Sequence, residues 1–215
     1  MKNRLLLNLV IVIMFLGNAV IAHAAKEKYA RTGKVTYKMI YNGKEAEGMP
    51  GLYVEYAEKT AKVWRDAPDV KELIPGYATE ATYIDYQNGS IKSAATFTDG
   101  DAFYTETLFS ELREVEFLDE TRDIEGFSCK KAKVVINSNH IEIWYTEDAG
   151  IQGSPMPTLG KVPGLVLSVV RNGNNETIAS SVSISRKKAK ANLIPAEMGQ
   201  RPIAMRLATS NVRKW

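Results

Sequence analysis

This 215-residue sequence has few of the side chains that most often act as catalytic nucleophiles, bases or metal ligands: it contains two histidines and one cysteine. One cysteine excludes a disulfide scaffold and Cys-based zinc clusters, and two histidines are too few for a multi-His catalytic metal site. His140 lies in an alternating strand pattern, and no Gly-x-Ser-x-Gly segment accompanies it. We therefore interpret His140 as structural.

Paired carboxylates occur at Asp119-Glu120 and at Glu147-Asp148, and Asp85 is a further candidate acid. Two carboxyl groups could serve as the acid and base of a hydrolase. Both pairs fall at the ends of predicted strands, where acids are ordinarily solvated. The sequence also lacks a His-Glu-x-x-His motif, a Walker loop and a dinucleotide fingerprint. We therefore assign no catalytic residue, no metal ligand and no cofactor, and a carboxylate-dependent hydrolase is the least favoured hypothesis.

Cys129 lies beside Lys130 and Lys131, and neighbouring ammonium groups can lower the pKa of a thiol. The alternation of Phe127-Ser128-Cys129 instead favours a small buried side chain on the inner face of a strand. We predict the buried, structural role.

Residues 1–24 have the three parts of a signal peptide. Lys2 and Arg4 form a basic start, an apolar run follows, and Ala22-His23-Ala24 fits a peptidase site. The apolar run is shorter than the roughly 20 residues that span a bilayer, and no later stretch reaches that length. We predict cleavage after Ala24, export to the periplasm or cell envelope, and no anchoring through a lipidated cysteine.

Removal of residues 1–24 lowers the formal charge from +3 to +1, since it removes two basic residues and no acid. A chain this close to neutral has no electrostatic footprint for nucleic acid. Basic residues remain concentrated in the tail, 186–215. Such a stretch could contact anionic lipid, but a solvated edge is the favoured interpretation.

The body of the chain alternates with a period of two, which is typical of strands with one wet face. Turn signals recur at Asn42-Gly43, Asn88-Gly89 and Asp99-Gly100. Residues 165–170 are nearly all apolar, as in a strand buried on both faces. We predict a single β domain over 25–215. Ten or eleven strands form an antiparallel meander, curled into a half-open barrel or a strongly bent sheet.

Helix is scarce in this pattern. Short helices are predicted at 69–74 and 192–198, and looser stretches at 44–51, 66–79 and 148–162. We expect a turn over 121–126. The stretch 148–162 is rich in Gly and Pro and longer than most loops, which is typical of a functional or mobile segment.

Three segments carry a family resemblance: Thr121–Ala132 around Cys129, the strand Glu142–Thr146, and Gly160–Leu167 with its Pro163-Gly164-Leu165 corner. Together with 83–86, they resemble the GLPGLI family of exported Bacteroidetes proteins over residues 80–185. That family has no established reaction, so the resemblance implies location and lineage only. Pro163 and Gly164 themselves predict a structural corner leading into a buried strand.

Three function classes remain open. The first is a non-catalytic binding or carrier module for an apolar or amphipathic ligand, by fold-level analogy with the half-barrels of periplasmic lipoprotein carriers. The second is a protein-interaction accessory of an outer-membrane system, and the third is the hydrolase. Lipid or another envelope protein is the expected partner. Candidate contact residues for a ligand or partner are Tyr86, Trp144 and Tyr145.

Overall fold

The computed structural model describes residues 32–66, 78–97, 102–185 and 192–199. These residues form twelve strands: β1 Thr32–Tyr41, β2 Lys44–Glu45, β3 Leu52–Ala57, β4 Thr60–Arg65, β5 Ala78–Asp85, β6 Ser90–Phe97, β7 Ala102–Leu108, β8 Glu116–Ile124, β9 Phe127–Ile136, β10 Asn139–Thr146, β11 Leu165–Arg171 and β12 Asn175–Ser185. Helix is limited, in the same part of the chain, to 3₁₀ turns at Phe109–Glu111, Pro157–Leu159 and Ala196–Gly199.

All twelve strands belong to one sheet, and neighbouring strands are antiparallel. The order is β7-β6-β5-β4-β3-β1-β12-β11-β10-β9-β8, with β2 paired to β1. The sheet is not closed, because β7 and β8 are its two ends. Sequential hairpins build each half, and the pairing of β1 with β12 joins the halves. The predicted mainly β, antiparallel fold is confirmed.

Two local expectations need correction. The predicted turn over 121–126 is mostly strand, since β8 runs to Ile124 and only Glu125 and Gly126 turn. A register shift between Leu118 and Thr121 keeps β8 paired with β9 beyond the Asp119-Glu120 pair. The predicted helix at 192–198 is reduced to the 3₁₀ turn at 196–199. The predicted signal peptide and the helix at 69–74 lie outside the described residues.

The stretch between β10 and β11 packs tightly, although its composition indicates a loose loop. We name residues 147–164 the plug segment. Its buried side chains contribute to both apolar clusters of the sheet: Ala149 and Ile151 to one, Leu159 and Val162 to the other. The first cluster joins strands of both halves of the sheet, and the second lies on β9, β10 and β11.

Glycines allow the plug segment to approach the strands closely. A Cβ added at Gly153 would lie 2.7 Å from the Val54 side chain on β3. A Cβ at Gly160 would lie 2.8 Å from Phe109 and 3.3 Å from Ile84 on β5. The backbone of Gly153 also bonds to β11, accepting from the Val166 N–H at 2.8 Å. The segment therefore fills the space between the two halves of the sheet.

A buried hydrogen bond adds a further link between the halves. The Tyr37 hydroxyl on β1 donates to the Val166 carbonyl on β11 over 2.6 Å. Tyr37 is 4% exposed, and burial raises the pKa of its phenol well above the ordinary value. Tyr37 therefore stays protonated in the folded protein and can donate this hydrogen bond.

We expect Tyr37→Phe to lower the free energy of unfolding by about 1–2 kcal/mol, because a buried carbonyl loses its partner while packing is kept. Tyr41→Phe is the matched control on the same strand, since Tyr41 is 54% exposed. Urea unfolding measures both variants. Equal urea midpoints for the two variants would show that this hydrogen bond does not stabilise the fold.

A second prediction concerns the corner at Gly164, where φ is +73° and an added Cβ would overlap the Thr146 carbonyl oxygen. Gly173 has φ +74° with open space around the same position. Gly173→Ala carries only the backbone strain, about 1–2 kcal/mol, whereas Gly164→Ala adds the clash. We expect the Gly164 variant to melt at a clearly lower temperature than the Gly173 variant, and similar melting temperatures would contradict the corner's role.

Candidate functional site

Trp144 and Tyr145, two of the predicted contact residues, are neighbours on β10 but belong to different apolar clusters. Trp144 is 8% exposed, and Arg122 and Lys131 lie 5.8 and 5.5 Å from its ring centroid. Tyr145 is 5% exposed and packs edge-on against Phe117, with ring centroids 5.8 Å apart. Both rings are thus engaged in packing, on opposite sides of the strand.

Tyr86, the third predicted contact residue, follows β5 and is partly buried against the first cluster. Its ring meets Phe109 edge-on at 6.2 Å between centroids. Burial raises the pKa of the Tyr86 phenol, with a smaller contribution from Tyr56. The structure does not bring Tyr86, Trp144 and Tyr145 together on one surface.

The candidate carboxylates are held by cations or backbone groups. Glu120 pairs with Lys131 at 3.0 Å and Glu147 pairs with Lys130 at 3.4 Å. Asp85 is buried and accepts hydrogen bonds from the backbone N–H groups of Gln87 and Asn88, which closes the β5–β6 turn. These contacts are structural, and His140 is exposed on β10.

Cys129 and the corner motif are packing elements. Cys129 is fully buried in the first cluster, and burial raises the pKa of its thiol to about 11. Leu165 is fully buried in the same cluster, at the start of β11. Pro163 and Gly164 lead into that strand, as the sequence predicts.

An aromatic pair that the sequence pattern does not indicate lies on the face of β3 and β4 opposite to Val54 and Val63. Tyr53 and Trp64 stack with ring centroids 4.4 Å apart and planes inclined by 27°. Lys34 on β1 lies 4.6 Å from the Tyr53 ring and 5.2 Å from the Trp64 ring. The Tyr53 hydroxyl bonds to the Asp66 carboxylate at 2.7 Å, and that bond raises the pKa of the phenol.

A shallow, open depression of about 320 Å³ adjoins this pair. Neither ring lines the depression, but its lining includes Lys34, whose ammonium group lies beside both rings. The other lining residues lie at the ends of β1, β3 and β12 and in the C-terminal segment: Thr32, Gly33, Glu55, Tyr56, Ala57, Ser183, Ser185 and Leu193. We name the depression and the ring pair together the aromatic surface.

Hairpin register was the signal that could have revealed this surface. The turn between β3 and β4 consists of Glu58 and Lys59, both with positive φ. A two-residue turn at that point places Tyr53 directly opposite Trp64, as observed. Glu-Lys is an unusual pair for such a turn, so the sequence pattern gave no register.

Two classes of feature are not found in the described ranges. No helix there is long and apolar enough to cross a membrane. No group of three or more His, Cys, Asp or Glu side chains in those ranges is arranged to hold a metal ion.

The raised pKa of Cys129 makes stability depend on alkaline pH. The native state favours the neutral thiol, so its contribution is complete below the ordinary pKa of 9.0 and is lost as pH rises through about 11. We expect the difference in urea midpoint between wild type and Cys129→Ala to shrink between pH 8 and pH 11. A difference that stays constant over this range would contradict the burial of a neutral thiol.

The chain is similar to known proteins both in sequence and in fold. The chain matches the family model described as "N-glycanase peptide, N-terminal domain" over residues 35–201. A search of curated proteins finds no match. Structures of PNGF-II in the P21 and C2 space groups superpose with TM-scores of 0.65 and 0.64, both at 26% identity.

Those superpositions cover 74% of this chain and 29% of PNGF-II, so the chain spans less than a third of that protein's length. A putative outer membrane lipoprotein-sorting domain from Vibrio parahaemolyticus superposes with a TM-score of only 0.32 at 7% identity, covering 74% of this chain and 87% of that one. The GLPGLI resemblance is not among these matches and stays a prediction. Because the matched model covers most of the sequence, the chain belongs to the N-glycanase peptide N-terminal domain family.

Proposed function

We propose that this protein is an exported, non-catalytic accessory module that binds N-glycosylated protein. The observation that carries the proposal is family membership over 35–201, because the family's description names an N-glycanase, an enzyme class that acts on N-linked glycans. Export follows from the signal peptide predicted over residues 1–24. The matched family model describes an N-terminal domain and the superposition covers 29% of PNGF-II, which supports an accessory role.

The state of the candidate acids supports a binding role over a catalytic one. A general acid or base must be free to exchange a proton with a substrate. Asp85 is buried and accepts hydrogen bonds within the β5–β6 turn, whereas Glu120 and Glu147 form exposed ion pairs with lysines and do not face each other across a cleft in any contact of the described residues. A recognition function needs only an exposed, rigid surface with suitable chemistry, and a sheet supplies one.

The packing of the interior also bears on the carrier hypothesis. A carrier for an apolar ligand needs an apolar cavity, whereas Ile151 of the plug segment occupies the space beside Gly33. A Cβ added at Gly33 would lie 2.5 Å from the Ile151 Cδ1 atom. A carrier would therefore require the plug segment to move out of the sheet. Apolar ligand transport and outer-membrane accessory binding thus become competing outcomes of the test below.

The test uses ribonuclease B and ribonuclease A, which share one polypeptide and differ by an N-linked glycan. The protein is immobilised without residues 1–24, and binding is measured by surface plasmon resonance. We expect ribonuclease B to bind and ribonuclease A to remain at baseline. We also expect no release of glycan from ribonuclease B, as followed by its mass.

Three results would contradict the proposal. Equal binding of both ribonucleases would indicate recognition of polypeptide, as expected for a protein-interaction accessory. Lipid recovered by mass spectrometry from an organic extract of the purified protein, with no binding of ribonuclease B, would favour the carrier. Loss of the glycan mass would establish an enzyme.

A further inference from the structure

We propose that the aromatic surface is the glycan-binding site, with the exposed parts of the stacked Tyr53 and Trp64 rings and the adjoining depression taking a neutral oligosaccharide. This inference rests on the proposed function and assigns it to a place on the molecule. Three properties of the surface favour an oligosaccharide: its aromatic rings, its polar groups and its balance of charges.

The rings match the apolar part of a sugar. A pyranose ring has a face of C–H groups and a rim of hydroxyls, so it packs against aromatic rings while its rim is hydrogen-bonded. Tyr53 and Trp64 lie on adjacent strands as a direct cross-strand pair, and both are only partly buried. Their positions are fixed by the β3–β4 ladder, so little conformational freedom is lost on binding.

The polar groups supply both donors and acceptors for hydroxyls. Lys34 contributes a donor, Glu55 an acceptor, and Ser183 a hydroxyl that can serve as either. The Trp64 Nε1–H is buried and has no hydrogen-bond acceptor within the described ranges. An unpaired buried donor is unfavourable, so a ligand oxygen that reached this N–H after a neighbouring side chain moved would satisfy it.

Charge balance selects a neutral ligand. In register, Glu55 lies between Lys34 and Lys62, and Asp66 is bonded to Tyr53. Two ammonium and two carboxylate groups therefore surround the rings, so an anionic ligand would meet as much repulsion as attraction. The surface thus disfavours phosphate or nucleic acid and suits an uncharged oligosaccharide.

Lys34 can move to admit the ligand. Its ammonium group lies beside both rings, but Lys34 is exposed, and cation–π contacts at exposed sites are weak. Displacement of the long side chain would uncover the rings at small cost. We expect Lys34 to act as a loosely held cover, so its removal affects affinity far less than removal of a ring.

The probe is the free high-mannose oligosaccharide released from ribonuclease B, titrated into the protein and followed by calorimetry. We expect Trp64→Ala to raise the Kd at least tenfold and Lys34→Ala to change it less than threefold. Phe117→Ala is the matched control, because Phe117 is an exposed aromatic on the distant end strand β8. Its Kd should stay within twofold of wild type.

A second readout does not depend on a folded alanine variant. The indole N–H resonance of Trp64, assigned through its absence in Trp64→Phe, should shift on addition of the oligosaccharide to the wild-type protein, with the Trp144 resonance unchanged. Oligosaccharide binding without that shift, or with an unaltered Kd in Trp64→Ala, would overturn the assignment and leave the proposed function standing. Absence of oligosaccharide binding by the wild type would overturn both.

Discussion

Occupation of the sheet's interior by the plug segment is the constraint on which the rest of the structure depends. An open, curled sheet of this kind would otherwise leave apolar side chains from both halves facing water. The segment solves this with few residues, because Gly153 and Gly160 bring its backbone against β3 and β5 without a side chain in between. Its apolar side chains then complete two clusters at once. The plug segment therefore makes the interior part of the packed core rather than an open space.

Period-two alternation and hairpin turns were enough to predict the class of fold and most strand positions. Where two consecutive strands are joined by Asn-Gly or a similar pair, local backbone preference and burial indicate the same structure. The plug segment could not be predicted in this way. Its composition is that of a loose loop, and its burial depends on strands more than 90 residues away in sequence, such as β1 and β3. Contacts between residues so far apart in sequence produce no regular spacing of apolar residues within the segment.

The candidate contact residues show the same limit. Trp144 and Tyr145 are aromatic residues in a recognisable strand, but both are buried, in two different apolar clusters. The Tyr53–Trp64 pair depends on one turn at Glu58-Lys59, whose residue types are poor indicators of that geometry. The sequence therefore shows how many aromatic residues there are, but it does not show which of them are buried and which lie at the surface.

The pairing of β1 with β12 has a consequence for the order of folding. The first described strand lies in the middle of the sheet, and one of its two long edges is completed only by the last strand. Closing so long a loop is slow, because chain entropy is lost before contacts compensate for it. A chain emerging from a ribosome cannot begin the β1–β12 pairing until Asn175 is available. The topology thus delays completion of the sheet until the strand Asn175–Ser185 has been synthesised.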